Sequence, residues 1–334
     1  MPTRTEKTKQ AYRDRARQIA VAENKAAKRN LSPVELVMAV MKRKLEPASR
    51  RQIRSALIFT MTEAKEMQPD QAASFNAAVA LLRAWRPQKD GNGTTRTSQS
   101  KQKNGVEKDT PRICHALLAT VSENARALVA LLNSTELTGV RYIEWPTAKF
   151  GPSSVPGYAY ELTIRNGKQG NGRSHGETRT LLWKALPGGY VKQLTFWIAI
   201  AKAAAAEERY ERLRETLEAL MRRVTKDLFP RRRERPTLSS GRHAAAARFK
   251  RVYVATATTE EAKLHGLAIV AALLGHATDA TATQHYARAG NSKSRYPVPE
   301  PDPVEVARIR RRYSELNKSS NEPSPDTDGT SRRG

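Results

Sequence analysis

Three observations predict a mainly α-helical chain of two domains with a small antiparallel β-hairpin. Long stretches carry apolar residues at helical spacing with almost no glycine; a stretch near residue 158 switches to β-leaning runs around a Gly/Asn-rich connection; and between residues 87 and 112 all periodicity is lost. At 334 residues and 39% hydrophobic content there is material for two cores. The spans are 1–86, a helical unit; 87–112, a flexible basic linker; 113–294, helices with the hairpin; and 295–334, a helix and a polar tail.

In 5–86, Ser32-Pro33-Val34-Glu35 forms a capping box with Pro at the first helical position, opening the apolar run Leu36, Val37, Ala39, Val40. The segment SRRQIRSALIFTMTEAKEM aligns Ile53, Ala56, Leu57, Met61 and Ala64 on one stripe, with Arg50, Arg51 and Arg54 near its start. A further segment carries Phe75, Ala78, Val79, Leu82 and Trp85 at helical spacing, so a small four-helix unit with basic faces is predicted. The linker is rich in Gly, Ser, Thr, Lys and Gln. After it comes helical RICHALLATVSENARALVALLNSTELTG, then YAYELTI and TRTLLWKAL as the two arms of the hairpin. Helices resume from Tyr190 to about Asp227 and stop at Phe229-Pro230. Two more are predicted at 240–251 and 259–274, separated by a loop near Val252 to Thr259 and a capping box at Thr258-Thr259-Glu260-Glu261, before a short helix carrying Tyr286. Beyond 295, a Pro-rich stretch leads into the basic helix VEVARIRRRYSELNK and an end whose composition predicts disorder.

Charge points to the partner. Lys and Arg number 59 against 33 Asp and Glu, a formal net charge of +26. Such an excess favours a polyanion, because each cation that neutralises a phosphate releases condensed counterions. Nucleic acid is therefore the expected partner. A membrane is not, since no run of about 18 apolar residues exists to span one. The start, MPTRTEKTKQAYRDRARQ, is too polar for a secretory signal. One cysteine, Cys114, allows neither an internal disulfide nor a Cys-based zinc site, and a reducing cytoplasm is expected.

Three local patterns bear on chemistry. In Thr138-Gly139-Val140-Arg141-Tyr142-Ile143-Glu144, a turn glycine precedes a helical segment on which Arg141 and Glu144 share a face; alone, this is a surface ion pair. Ser239-Ser240-Gly241-Arg242-His243 alone is a Ser-capped helix start. In Leu274-Gly275-His276, an apolar helix ends at a glycine suited to the left-handed cap, leaving His276 in the turn, and Tyr286 follows two turns into the next helix.

Taken together and in order, these residues resemble the tyrosine recombinases, closely the bacterial phage- and island-type integrases. Their signature has an Arg in a TG-x-R-x-x-E turn, an R-H arginine, an LGH, and a nucleophilic Tyr about ten residues later. The resemblance covers roughly 113–290; residues 5–86 match the family's helical core-binding domain only in general character. It implies that Arg141 and Arg242 bind the scissile phosphate and that His276 hydrogen-bonds it or accepts a proton, with Glu144, Ser239 and His243 in support. It also implies that Tyr286 is the nucleophile and that Lys168, in the hairpin, is the acid for the leaving deoxyribose oxygen. Two arginines suit a phosphodiester because the guanidinium stays charged and binds phosphate bidentately. Tyrosine has an ordinary pKa near 10 and needs that positive field to lose its proton. No metal or other cofactor is implied, because the bond energy is kept in the phosphotyrosine.

The implied partners are double-stranded DNA sites, to which Arg50, Arg51 and Arg54 would contribute contacts, and three further copies of the chain in a tetramer assembled on DNA. The resemblance leaves open an accessory DNA-bending or directionality factor, and it places the protein in the bacterial cytoplasm with the nucleoid. One position departs from the pattern: Ser239 stands where many members carry His or Lys, and serine is no acid near neutral pH. The stretch from Arg242 to His276 is also longer than in compact members. A catalytically inactive DNA-binding protein on this scaffold and a type IB topoisomerase-like enzyme are the alternatives.

Overall fold

The structure, a computed structural model, describes residues 5–85, 106–167, 176–276 and 296–311. Contacts divide the chain into two units, Met1–Thr94 and Thr95–Gly334. The described residues are mostly helical with one small antiparallel sheet, as the sequence predicts.

The first unit holds helices α1 (Glu6–Ala27), α2 (Pro33–Met41), α3 (Pro47–Met67) and α4 (Ala72–Ala84), with a 3₁₀ turn at Pro69–Gln71. The reciprocal capping box forms: Ser32 Oγ accepts from the Glu35 N–H, and Glu35 accepts from the Ser32 N–H. The stripes close on one another, burying Val37, Val40, Leu57, Met61, Phe75, Ala78, Val79 and Leu82 with Ala16 and Ile19 of α1. Fully burying a large apolar side chain contributes about 1.5–3 kcal/mol, which offsets the conformational entropy lost in ordering the four helices.

The second unit is built around α6 (Ala125–Thr138), which is buried over most of its circumference and so must be enclosed on every side. Around it lie α5 (Val106–Leu118), α7 (Gly188–Ala206), α8 (Tyr210–Leu228) and α9 (Ser240–Tyr253), and α10 (Glu260–Leu274) packs on α9. Strands β1 (Lys149–Pro152), β2 (Tyr160–Arg165), β3 (Thr178–Trp183) and β4 (Glu300–Pro301) form a sheet in sequence order, antiparallel throughout. A last helix, α11, spans 303–311. On the core face of the central pair, Leu162 lies opposite Leu181 and Ile164 opposite Arg179. All four are fully buried. No described helix is long and apolar enough to cross a membrane.

Several boundaries differ from expectation. The hairpin is the middle of a four-stranded sheet, because β1 and β4 span only four and two residues and show no alternation to read. Helix α5 begins at Val106, inside the expected linker, although Pro111 lies within it; Asp109 and Thr110 are buried, and Arg232 binds the Asp109 carboxylate. The helical run after it breaks at 119–124. Thr259 caps α10 by accepting from the Ala262 N–H at 3.1 Å, the Thr258 box being one residue out of register. The basic C-terminal helix buries Val306 and Ile309 in the core of its own unit. The expected short helix around Tyr286 lies outside the described residues.

Candidate active site

Two helices that end in left-handed glycines create the site. Gly139 closes α6 at φ +70° and Gly275 closes α10 at φ +66°, a backbone conformation that costs side-chain-bearing residues energy. Helix C-termini carry unpaired carbonyls and partial negative charge. Arg242, in the first turn of α9, answers both. Its Nη1 donates to the Gly139 carbonyl and its Nη2 to the Leu274 carbonyl at 2.7 Å. The same Nη2 lies 3.2 Å from Nε2 of His276, directly beyond Gly275. A guanidinium only donates, so Nε2 accepts and the proton of a neutral His276 resides on Nδ1.

Arg141 follows Gly139 by two residues and precedes a 3₁₀ turn at Tyr142–Thr147. Glu144 in that turn is fully buried. Its Oε1 accepts from Arg141 Nη1 at 2.6 Å and from the Gly167 N–H at 3.1 Å. Its Oε2 accepts from the Arg141 N–H at 2.9 Å and from Arg179 Nη2 at 2.6 Å. The pair read from sequence as a surface ion pair is thus an interior one. Arg141 keeps 17% of its side chain exposed, so a ligand can reach it.

Arg179 is the residue that sequence reasoning missed. It donates further to Asn166 Oδ1 at 2.5 Å and to the Leu273 carbonyl at 3.1 Å. Its signal was present: in TRTLLW it occupies the same phase as Leu181 and Trp183, so an arginine stands on the core face of a strand.

Three guanidiniums therefore surround one carboxylate. Burial alone would raise the Glu144 carboxyl, but Arg179, Arg141 and Arg242 prevail and hold it well below the usual range. Burial, with the charge of Arg242, lowers Arg141 to about 10, leaving it protonated at neutral pH. Burial and the charges of Arg242, Arg141 and Arg179 push His276 well below its ordinary value, so the imidazole is neutral. Three buried or largely buried guanidiniums in a low-dielectric setting make this a place where an anion such as a phosphate would be attracted.

Arg141, Glu144, Arg242 and His276, four of the residues singled out in sequence, thus meet in one place. His243 is half-buried beside Arg242. Ser239 is exposed just before α9, its Oγ 3.0 Å from Thr237 Oγ1, and its side chain makes no helix-capping bond. Lys168 and Tyr286 lie outside the described residues. In the first unit, Arg54 donates to the Leu82 and Arg83 carbonyls at 2.6 and 3.0 Å, Arg50 lies 5.5 Å from the Trp85 ring centroid, and Arg51 is exposed. Two tyrosines of the described unit are held as phenols by burial, which raises both: Tyr142, paired with Tyr210, and Tyr253, which donates to the Pro299 carbonyl.

No protein-family model matches the chain, and no curated protein matches it. Among solved structures, a variant of protelomerase tela covalently complexed with substrate DNA is similar at 16% identity and a TM-score of 0.30, over 91% of this chain and 98% of that one. A likeness this distant carries no argument about what the chain does.

Proposed function

We propose that the chain is a tyrosine-type site-specific DNA recombinase that cleaves and rejoins DNA for the integration or excision of a mobile element. The observation that carries this reading is the meeting of Arg141, Arg242 and His276, from three segments far apart in sequence, around one buried carboxylate. In this reading the two arginines bind the non-bridging oxygens of the scissile phosphate, and His276, held against Arg242, supports that arrangement. Tyr286, ten residues beyond His276, releases its phenolic proton to solvent in the positive field of the arginines and attacks phosphorus. The deoxyribose oxygen leaves and takes a proton from Lys168, while the phosphotyrosine retains the bond energy for rejoining. The arginines supply the charge neutralisation that a metal ion would otherwise give, and no nucleotide is consumed. Strand exchange would proceed in a tetramer on two paired sites, with any directionality factor acting on that assembly.

The test separates binding from chemistry. Charge on the phosphate grows in the transition state, so these contacts matter most there. Arg141→Ala and Arg242→Ala should each lower cleavage by about two to three decades, the usual cost of about 3–4 kcal/mol for one such donor, and leave duplex affinity within a few-fold in a gel-shift titration. Cleavage that survives both substitutions would refute the assignment.

A further inference from the structure

We infer that Arg179 is a positioning residue, one that touches no reacting atom but fixes the phosphate-binding groups by tying three segments of the site together. Its effect on rate rests on the strand-transfer reading; its geometry does not.

The side chain is fully buried on the core face of β3 and spends each of its three nitrogens on a different segment. Nη2 grips Glu144, whose other oxygen grips Arg141. Nε holds the Leu273 carbonyl, in the last turn before Gly275 and His276. Nη1 holds Asn166 Oδ1. Asn166 itself closes the base of the hairpin connection, its Nδ2 donating to the Gly176 carbonyl at 2.9 Å and its N–H to the Glu177 carbonyl at 2.7 Å. The fit is close. A Cβ on Gly275 would come within 2.3 Å of Asn166 Oδ1 and 2.8 Å of Arg179 Nη1.

Stability alone does not account for this choice. A buried ion pair is at best weakly stabilising, and apolar residues of similar volume often serve as well. Here a third buried cation is added beside Arg141 and Arg242, and its direct ion pair is with Glu144, a carboxylate that Arg141 already shares. What the guanidinium provides is a rigid planar fork that reaches three acceptors at once; a lysine ammonium is a single point on a flexible stem. Misplacing a catalytic group by about 1 Å costs on the order of 100-fold in rate, so a clamp of this kind governs chemistry more than affinity.

The experiment compares wild type with Arg179→Lys and Arg179→Met in the full chain. It reads the thermal melt, the duplex affinity, the single-turnover rate of covalent DNA attachment, the affinity for inorganic sulfate, and the pH titration of the His276 imidazole by NMR. We expect Arg179→Lys to stay folded, bind duplex within about threefold of wild type, attach DNA about 100-fold more slowly, and bind sulfate about tenfold more weakly. In Arg179→Met the His276 titration should move to higher pH, because a neighbouring positive charge is gone while Arg141, Arg242 and Glu144 remain. Should Arg179→Met not fold, Arg179→Gln, which removes the same charge but keeps a polar side chain beside Glu144, provides the titration. A wild-type rate and sulfate affinity in Arg179→Lys would overturn the inference, as would losses that merely track the fraction unfolded. If wild type attaches to no DNA but Arg179→Lys still weakens sulfate binding at an unchanged melt, Arg179 keeps its role and the strand-transfer reading fails.

Discussion

The guanidinium of Arg242 lies where two helices end, and that placement explains how one side chain can both hold the fold and present charge to a ligand. Gly139 and Leu274 bring the carbonyls, Arg242 bridges them, and His276 is carried along directly after Gly275. These residues were legible in the sequence because helix-ending glycines mark them: the punctuation and the chemistry coincide at Gly139 with Arg141 and at Gly275 with His276. Arg179 was not legible as part of the site, because it stands in a strand with no such mark, and its partners are 13, 35 and 94 residues away. At this scale Ser239→Ala should reduce cleavage by no more than about fivefold, the net worth of one neutral hydrogen bond, since Ser239 is exposed and bonded to Thr237. A loss as large as that of Arg242→Ala, measured in the same cleavage assay, would mean that the turn has been misaligned with the family pattern. Gly167→Ala should also be damaging. Its Cβ would come within 3.0–3.2 Å of Ile143 and Glu144, forcing the base of the hairpin off the Arg141 turn; a cleavage rate unchanged from wild type would show that the turn yields freely.

The C-terminal segment acts as an element of the second unit. Tyr296 is buried and donates to Asn133 Oδ1 at 2.8 Å, β4 pairs with β3, and α11 buries Val306 and Ile309. Periodicity reveals the helix but not its destination, and a two-residue strand is too short to read at all. Glu305 on α11 is the sensitive point: its Oε1 accepts from the Thr180 N–H at 2.9 Å, and burial, with Asp302 adding to it, pushes its carboxyl up to about 8. The folded value lies above the ordinary 4.5, so the folded state holds this proton more tightly. The stabilisation is therefore complete below about pH 4.5 and is lost as pH rises through 8. Glu305→Gln keeps the acceptor and removes the titration. Between pH 6 and pH 9 the wild-type melting temperature should fall more steeply than that of the variant, by the equivalent of a few kcal/mol at most. Parallel melting curves for the two proteins would show that Glu305 stays ionised in the fold.

For the whole molecule, a net charge of +26 predicts binding governed by phosphate contacts. For B-DNA each neutralised phosphate contributes about −0.9 to the slope of log K against log salt. A slope of about −5 or steeper is expected, unchanged by Tyr286→Phe, which removes one hydroxyl and no charge; a slope near zero would remove the premise that DNA is the partner. The central claim, covalent strand transfer through a tyrosine, is tested most directly with a nicked substrate containing the mapped target site. Loss of the short strand beyond the nick removes the hydroxyl that would reverse cleavage, so the phosphotyrosine accumulates. The account predicts a slower band on a denaturing gel, formed in EDTA by wild type, by Tyr142→Phe and by Tyr253→Phe, and absent in Tyr286→Phe. Lys168→Ala should form it slowly, and at near wild-type rate when the leaving oxygen is replaced by sulfur, which departs without an acid. No adduct from wild type on its own site would contradict the account, and an adduct that persists in Tyr286→Phe would show that another residue is the nucleophile.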